Sequence, residues 1–352
     1  MATTANKKSQ LKFSQGTNVI HQAPTKSQAT NASKAWLHFV AGGVGGMAGA
    51  IVTSPLDVVR TRLQSSIYGS KTQSIQPFVR SYIPILGHFI DTGKLLTYMY
   101  RTEGWRALFK GLGPNLIGVI PARAINFFTY GNGKRILINW NGGQETAYVH
   151  LTAAVIAGLV TSTATNPIWL VKTRMQLQTS SVSSALPIKY KNSFDCLKKV
   201  VKEEGITGLY KGLSASYLGI TEGTIQWVAY EYLKSKLSER RERRRSMSDE
   251  AEKPYWHMID NFFAAGSSKF FAACISYPHE VVRTRLRQLP SEGAKYKGLV
   301  HCVKTIFKEE GFSAFYGGMT AHVMRVVPNA AIMFFCYELI LQYGGVNNNS
   351  SS

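Results

Sequence analysis

Charged side chains inside apolar segments are the residues of this sequence that could do chemistry. The string PLDVVRTR at 55–62 follows the glycine-rich apolar run GGVGGMAGAIVTS, and related strings recur as PIWLVKTR at 167–174 and PHEVVRTR at 278–285. A charge at membrane depth costs roughly 2.5–3.5 kcal/mol on the milder scale, so such groups face a bundle interior and pair with one another. Proline can kink the helix that carries them, because it removes a backbone hydrogen bond. The strings therefore predict ion pairs inside a helix bundle.

The bulk composition leaves several classes of protein open. The chain has 352 residues and a net charge of +21, from 41 basic and 20 acidic residues. Such a charge suits nucleic acid, an anionic membrane surface or an anionic substrate. No uninterrupted apolar run of about 18 residues occurs, so hydropathy alone would indicate a soluble protein. The four cysteines lack CxxC spacing, which argues against a disulfide framework or a zinc site.

Two further classes are disfavoured by what the sequence lacks. It has no known nucleic-acid-binding motif, and apolar glycine-rich helices would have no role in a basic nucleic-acid-binding protein. It also shows no nucleophile–base set, phosphate-cradling loop or metal cluster, which argues against an enzyme. We therefore expect no cofactor, no bound metal and no nucleic-acid partner.

An internal repeat predicts the architecture. Pro55 lies 112 residues before Pro167, which lies 111 residues before Pro278. Each proline string is followed by a second motif and then an apolar segment rich in small residues; the second motifs are EGWRALFKG at 103–111, EGITGLYKG at 204–212 and EGFSAFYGG at 310–318. Two linked motifs in the same order three times predict three tandem repeats. Each repeat is predicted to hold a long helix, a short amphipathic helix and a second long helix.

The predicted long helices can each cross a bilayer of about 30 Å, at about 1.5 Å of rise per residue. They lie near 36–64, 111–138, 148–176, 211–237, 257–287 and 317–342, and the short helices near 90–101, 193–203 and 298–309. Gly42 with Gly46, and Gly45 with Gly49, have the GxxxG spacing that lets helix backbones approach closely in lipid.

Composition sets the predicted domain boundaries. Residues 1–33 are polar and are expected to form a disordered tail. The three repeats are expected at 34–140, with a long loop at 65–100, then at 141–238 and 255–343. A basic loop at 239–254 contains RRERRR, either a solvated charge run or a contact for anionic lipid. Residues 344–352 form a C-terminal tail.

The core at 36–342 resembles the mitochondrial carrier family. The resemblance rests on the triplicated Px[DE]xx[KR]x[KR] motif and the [DE]G…[WYF][KR]G motif that follows it. It implies an all-α membrane protein with six transmembrane helices, threefold pseudosymmetry around a central substrate site and three short matrix helices. It also implies a multi-pass monomer in the mitochondrial inner membrane, with both termini toward the intermembrane space and cardiolipin as a lipid partner on the matrix side.

The resemblance implies a matrix gate made of ion pairs between the proline strings. The family's pairing order joins Asp57 to Lys172 and Glu280 to Arg60. Gln64 and Gln176 occupy the positions where family glutamines brace these pairs.

The third position of this gate departs from the family pattern. Position 169 carries Trp169 in place of an acid, so Arg283 lacks its partner. A cation–π contact between the two is one replacement. Arg287 stands where the third bracing glutamine would be.

A second gate is implied on the cytosolic side. The family's order joins Lys134 to Glu231 and Lys234 to Glu338. A tyrosine precedes these charges in each repeat, at Tyr130, Tyr230 and Tyr337. The third charged pair is absent, because Gly131 and Leu341 occupy both of its positions. Two rings at opposite ends suggest alternating access. The competing interpretation is a static bundle that the charges stabilise.

Residues upstream of these tyrosines are the candidate substrate site. Arg123, Glu222 and Arg325 lie roughly 10–18 Å below the tyrosines at about 1.5 Å per residue. Arginine forks match phosphate oxygens, so two arginines and Lys269 predict a phosphorylated polyanion. Glu222 is expected to pair with Arg123 or to carry a coupled proton. Asn126 could hydrogen-bond a base edge, and a base could lie on Gly219 and Ile220. Helix packing is the alternative role for each residue.

Trp169 narrows the resemblance to one branch of the family. The string PIW resembles carriers of pyrimidine nucleotides, NAD, flavin or folate. GPNLIGVIPARA, NPIWLVKTRMQLQ, SYLGITEG and ISYPHEVVRTRLR look most like the mitochondrial pyrimidine nucleotide carriers. This resemblance implies exchange of UTP, CTP, TTP and their di- and monophosphates, with NAD, FAD or folate as the alternative substrates.

Overall fold

The computed structural model describes residues 26–66, 84–178, 190–247, 254–289 and 295–343. Helices are the only regular elements within those ranges. In chain order they are α1 (Lys26–Gln64), α2 (Pro84–Glu103), α3 (Leu112–Trp140), α4 (Ala147–Leu177), α5 (Ser193–Gly208), α6 (Leu213–Leu218), α7 (Ile220–Met247), α8 (Pro254–Arg287), α9 (Leu299–Glu310) and α10 (Met319–Tyr343). The all-α fold and the helix order of the three repeats are as predicted.

The helices differ from the prediction in four places. Helix α2 begins at Pro84, inside the predicted loop at 65–100 and ahead of the predicted helix start near 90. Helix α1 begins at Lys26, so 26–33 of the predicted tail is helical, while 1–25 lies outside the described residues. Helix α7 continues to Met247, so RRERRR is helical where a loop was expected; Arg and Glu are good helix formers. The predicted helix at 211–237 is interrupted at Gly219, where the backbone N–H donates to Ser216 three residues earlier.

Among the described residues, three helical segments are both long and apolar enough to cross a membrane. By length and composition these spans are Val40–Gln64, Ala147–Leu177 and Phe312–Tyr343. Large apolar side chains stand exposed in adjacent pairs on the long helices: Phe127 with Phe128, Trp227 with Val228, Phe270 with Phe271, and Phe334 with Phe335. Lipid is the solvent in which such exposed apolar surface is stable, so these pairs mark the outside of the bundle.

Glycines set the close approach of α1 to α10. A Cβ at Gly45 would lie 2.7 Å from the Met333 carbonyl oxygen, and one at Gly49 would lie 2.7 Å from Asn329 Oδ1. Gly42 and Gly46 have nothing within 4 Å. Of the two GxxxG spacings in this helix, only the second faces a neighbouring helix.

We call the end of the bundle that carries the three proline strings the proline end. Pro55, Pro167 and Pro278 lie inside α1, α4 and α8. Buried apolar clusters there join these helices to the short ones: Val58 and Val59 with Met99, Leu170 and Val171 with Cys196 and Val200, and Val282 with Cys302 and Ile306. Each repeat therefore packs its own short helix against its first long helix.

The last arginine of each proline string binds the glutamate of the second motif. Arg62 is fully buried, and its two terminal nitrogens lie 2.5 and 2.9 Å from the two Glu103 oxygens. The same bidentate contact recurs as Arg174 with Glu204 and Arg285 with Glu310. Bidentate arginine–carboxylate pairs fix orientation as well as adding energy.

The same arginines also close a ring among the three first helices. The Nε of Arg62 donates to the Gln176 carbonyl at 3.1 Å, that of Arg174 to Arg287 at 3.2 Å, and that of Arg285 to Gln64 at 3.1 Å. Each bond joins one repeat to the next. The ring gives direct geometric support for threefold pseudosymmetry.

Glycines at the start of the second long helices repeat with the same geometry. Gly111 has φ 79°, and a Cβ there would lie 2.8 Å from Gln176 Cγ. Gly318 has φ 77°, and its Cβ would lie 2.9 Å from the Arg60 carbonyl oxygen. Only glycine combines this left-handed backbone with such close approach.

Candidate functional site

The first ion pair at the proline end joins α1 to α4. Asp57 Oδ2 lies 2.7 Å from Lys172 Nζ, and both side chains are largely buried. Gln176 Nε2 donates to the same carboxylate oxygen at 3.0 Å, and its Oε1 accepts from Thr61 at 2.7 Å. Lys172 also donates to Asn115 Oδ1 at 3.0 Å. The expected pair and its glutamine brace are both present.

The second ion pair joins α1 to α8. Arg60 binds Glu280, and both side chains are largely buried. Gln64 does not contact this pair. Its amide instead donates to the Tyr277 hydroxyl at 3.0 Å and accepts from Thr284 at 2.8 Å. Gln64 therefore links the same two helices beside the ion pair.

The third position, between α4 and α8, has no such pair among the described residues. Trp169 donates its indole N–H to Thr165 Oγ1 of its own helix at 3.0 Å, and its ring centroid lies 5.5 Å from Lys172 Nζ. The expected cation–π contact with Arg283 is therefore wrong, because the ring is held along α4 beside another cation. Arg283 lies 3.9 Å from Glu280 of its own helix.

Arg287 also differs from the glutamines at the matching positions. It is 5% exposed. Its NH2 donates to Asn166 Oδ1 at 2.6 Å and to Ser216 Oγ at 3.0 Å, while its Nε has no hydrogen-bond partner. Two neutral acceptors therefore hold a buried arginine at the seam of α4 and α8.

The opposite end, which we call the tyrosine end, has a different arrangement from the expected gate. Lys134 pairs with Glu145 of the turn between α3 and α4. Lys234 Nζ lies 5.8 Å from the Tyr230 ring centroid. Neither lysine pairs with Glu231 or Glu338 in the described structure, and both glutamates are exposed. Tyr337 lies on α10 at this end.

A small polar network holds Lys134 at the tyrosine end. The Tyr130 hydroxyl lies 2.7 Å from His150 Nδ1, and His150 Nε2 lies 2.8 Å from Glu145 Oε1. The ammonium of Lys134, bound to the same carboxylate, holds the pKa of Glu145 below its usual value. Glu145 lies outside the spanning helices, so this network is at the bundle mouth. The proline end is thus closed by ion pairs while the tyrosine end is not.

The candidate substrate residues fall into two groups. Arg325 NH1 lies 3.7 Å from Asp57 Oδ1, so it adds a second cation to the first ion pair. Glu222 pairs with Lys269 at 2.7 Å, which corrects the expected pair with Arg123. Arg123 is exposed and has no ion-pair or hydrogen-bond partner among the described residues. Asn126, one turn further on α3, is also exposed.

Gly219 and Ile220 both have packing partners. A Cβ at Gly219 would lie 2.7 Å from His279 Nε2, so only glycine leaves room for that imidazole. The Ile220 side chain covers Gly158, where an added Cβ would lie 3.1 Å from its Cγ1. The spot expected to receive a base is therefore partly filled by helix–helix contacts.

The structure brings together one cluster of potential metal ligands that the sequence does not predict. Within the described ranges, Glu222, His279 and Glu280 place ligand atoms within 4.8 Å of one another. Both carboxylates already have a cationic partner, Lys269 and Arg60, and the His279 Nδ1 contacts a backbone carbonyl. The cluster is therefore neutralised by ion pairs. His279 and Glu280 are neighbours on α8, whereas Glu222 lies on α7, so no sequence spacing predicts that it meets the other two.

Other contacts could have been found in the repeat itself. The Arg62–Glu103 pair and its two equivalents use the last arginine of the first motif and the glutamate of the second. Both recur in all three repeats at matching places, which is a signal for contact. Glu145 and His150 carry no such signal, because neither position recurs.

The arrangement can hold an anion between two ends of a bundle. Arg123, Lys269 and Arg325 supply cationic groups on three different long helices; Glu222 is bound to Lys269, and Asp57 lies near Arg325. Such side chains match the oxygens of a phosphate.

Comparison with known proteins agrees with this geometry. The family model described as mitochondrial carrier protein matches residues 31–140, 143–241 and 256–345. The chain is 51% identical to the mitochondrial carrier protein rim2 of Schizosaccharomyces pombe over 341 residues, covering 94% of this chain and 96% of the relative. It is 50% identical to the mitochondrial pyrimidine nucleotide transporter RIM2 of Saccharomyces cerevisiae over 326 residues, covering 88% and 86%.

A relative of lower identity also matches over most of this chain. Solute carrier family 25 member 36 of Mus musculus is 42% identical over 308 residues, which cover 87% of this chain and 96% of the relative. The three matched segments coincide with the three structural repeats, each with its arginine–glutamate pair. The chain belongs to the mitochondrial carrier protein family.

Proposed function

We propose that this protein exchanges pyrimidine nucleotides, namely UTP, CTP, TTP and their di- and monophosphates, across the mitochondrial inner membrane by alternating access. One observation carries the mechanism: two buried ion pairs close the proline end while the lysines and glutamates of the tyrosine end are apart. The substrate class is supported by the similarity to the mitochondrial pyrimidine nucleotide transporter of Saccharomyces cerevisiae and by the arginines of the candidate site.

The proline end is the matrix gate in this proposal. Removing one partner of a buried ion pair costs about 3–5 kcal/mol, so opening this end requires compensation from bound substrate. Arg325 can provide this compensation, because it lies 3.7 Å from Asp57. A substrate phosphate that binds Arg325 competes with Asp57 for it. The same binding event therefore weakens the pair that must open.

The tyrosine end is the cytosolic gate, with both termini toward the intermembrane space. Lys134 is bound to Glu145 in the open form. Closure would transfer Lys134 to Glu231 and bring Lys234 to Glu338, under Tyr130, Tyr230 and Tyr337. Because the Lys134–Glu145 pair is exposed to solvent, it is weak and can exchange partners readily.

The phosphates bind to Arg123, Lys269 and Arg325 in this proposal. Arg123 is exposed and without a partner, so it is available to an incoming anion. A phosphate at Lys269 would release Glu222 from its present pair. Asn126 reads the base edge, and Gly219 with Ile220 form the wall beside it.

Lipid headgroups are the second class of partner that we propose. A depression at the proline end is lined by Lys211, Arg285, Lys295 and Lys297, beside the first turn of α9. Basic side chains between helix ends suit an anionic lipid such as cardiolipin. The protein acts as a monomer and without a cofactor in this proposal.

The experiment that tests the function is a thermal-shift screen on the detergent-purified chain, followed by exchange in liposomes. UTP, CTP and TTP are compared with ATP, GTP, NAD, FAD and folate, since a ligand that binds the folded state raises its apparent stability. We expect shifts with the pyrimidine phosphates only. Arg325→Ala should abolish them, while Arg135→Ala, the loss of an exposed arginine on α3, should not. Shifts with NAD, FAD or folate alone would overturn the assignment.

A further inference from the structure

The seam between α4 and α8 at the proline end carries two arginines and no acid from α4. The other two seams each have a buried ion pair, Asp57 with Lys172 and Arg60 with Glu280. At the third seam the position of the acid is taken by Trp169. The matching cation, Arg283, is therefore present without its partner.

Within the part of the chain that the structure describes, Arg283 has no carboxylate of its own. Its nearest is Glu280 Oε1 at 3.9 Å, on the same helix, and the other oxygen of that group is bound by Arg60. Glu222 and Asp57 also attract the Arg283 guanidinium electrostatically. Each of them, however, is already paired at 2.7 Å with a lysine, Lys269 and Lys172 respectively. The Arg283 side chain keeps 31% of its surface exposed, so a ligand can reach it.

Arg287 adds to the excess of positive charge, one helical turn away. It is buried, and the acceptors that it binds are the neutral groups of Asn166 and Ser216. Like charges four residues apart on a helix repel each other. The arginine–glutamate pairs at this end and the Glu222–Lys269 pair are neutral as pairs. Among the remaining charges named here, two carboxylates face five cations, which leaves three positive charges in excess: Asp57 and Glu280 against Arg60, Lys172, Arg283, Arg287 and Arg325. An anion placed at Arg283 would relieve both arginines.

We propose that Arg283 is a phosphate-binding residue, and that the substrate's outermost phosphate occupies the place of the missing acid between α4 and α8. This inference rests on the proposed function, since it assigns a contact to the same nucleotide. Two of the three gate cations, Lys172 and Arg60, then face protein carboxylates, and the third, Arg283, faces the substrate. A nucleoside triphosphate reaches this position, whereas a monophosphate bound at the same base site falls short.

The consequence is a preference that depends on phosphate number. A hydrogen bond to a charged group contributes enough that its loss weakens binding about tenfold or more. Arg283→Gln should therefore raise the Kd of UTP about tenfold or more and change that of UMP little. Trp169→Asp should act in the same direction, because the new carboxylate supplies Arg283 with the partner that Lys172 and Arg60 have in the other seams.

The matched control is Arg287→Gln. It removes the same charge one turn away and places at the third seam the glutamine found at the other two, Gln64 and Gln176. We expect it to keep the ratio of the UMP and UTP dissociation constants. Titration calorimetry of the full detergent-purified chain measures this ratio, and the unfolding temperature of each variant without ligand reports its folding.

Three results would overturn the inference. If Arg283→Gln and Trp169→Asp both keep the wild-type UMP-to-UTP ratio, Arg283 does not bind phosphate, although the proposed function stands. If Arg287→Gln lowers the UMP-to-UTP ratio as much as Arg283→Gln does, the preference for UTP comes from the overall positive charge of this end and not from a contact with Arg283. If the wild-type chain binds neither UTP nor UMP, the proposed function fails first, and the inference fails with it.

Discussion

Asp57→Asn is the perturbation whose effect follows most directly from the structure. Asp57 accepts from Lys172 at 2.7 Å and from Gln176 at 3.0 Å, and Arg325 lies 3.7 Å away. The substitution leaves a buried Lys172 without a counter-charge. Removing one partner of a buried ion pair costs about 3–5 kcal/mol. Since about 1.4 kcal/mol is a factor of ten, the form closed at the proline end should lose at least roughly two powers of ten in relative population.

The assay is the labelling rate of a reporter cysteine at this seam. Thr61→Cys is suitable, because Thr61 is buried and its hydroxyl bonds to Gln176 across α1 and α4. All variants, including the reference, carry this reporter in a background without the four native cysteines, so its own cost cancels. A thiol reagent should label the Asp57→Asn variant about a hundredfold faster than the reference.

A double variant and a control at the other end make the reasoning refutable. Asp57→Asn with Lys172→Met removes both charges of this pair and strands neither, so it should label more slowly than Asp57→Asn alone. Lys134→Met removes a solvent-exposed pair at the other end, which contributes little, so it should change the rate by less than about tenfold. Equal rates in the single and double variants would refute the claim that the stranded lysine opens this end.

Three further predictions concern other parts of the molecule. Glu145→Gln should favour closure of the tyrosine end, since it releases the lysine that must reach the opposing glutamate; faster nucleotide exchange in liposomes would report it. Burial raises the pKa of the Cys196 and Cys302 thiols to about 12, so at pH 8 roughly one in ten thousand is a thiolate, and neither should react with iodoacetamide before unfolding. Gly111→Ala should lower the unfolding temperature, because a left-handed backbone costs an L residue about 1–2 kcal/mol and the new methyl meets Gln176; Gly131→Ala, with nothing within 4 Å, is its control.

Distinct results would contradict each of them. Equal unfolding temperatures for Gly111→Ala and Gly131→Ala would show that neither the backbone nor Gln176 opposes a side chain at position 111. Unchanged or slower exchange in Glu145→Gln would show that its lysine does not limit closure. Labelling of Cys196 or Cys302 in the folded protein would show that α5 and α9 leave the bundle. For the Glu145 pair, the lowered pKa fixes the sign: its stabilising effect is present at neutral pH and is lost only as the pH falls through that lowered value. A loss of the network near neutral pH would contradict this assignment.

The sequence determined the repeat and therefore the fold. Two motifs in the same order three times required three similar units, and the long apolar helices required a membrane or a bundle to cover them. The ion pairs Asp57–Lys172 and Arg60–Glu280 were expected from the resemblance to the carrier family, whose pairing order joins these charges. An acid missing from one string, at Trp169, was visible in the same way.

Only the tertiary structure decided which partner each remaining charge takes. Glu222 binds Lys269 and not Arg123, because α7 packs along α8 and brings that lysine within 2.7 Å. Trp169 lies beside Lys172 and not Arg283, because its indole N–H bonds to Thr165 one turn earlier.

The state of the two ends was likewise outside the reach of the sequence. The sequence motifs predict a ring of ion pairs at the proline end and another at the tyrosine end. They do not predict which of the two rings is formed. The position of Lys134 depends on Glu145 and His150, which lie in the turn after α3 and the first turn of α4 and recur in no other repeat. Spacing along the chain predicts contacts that every repeat makes. The contacts that distinguish one repeat from another depend on how the helices meet in space.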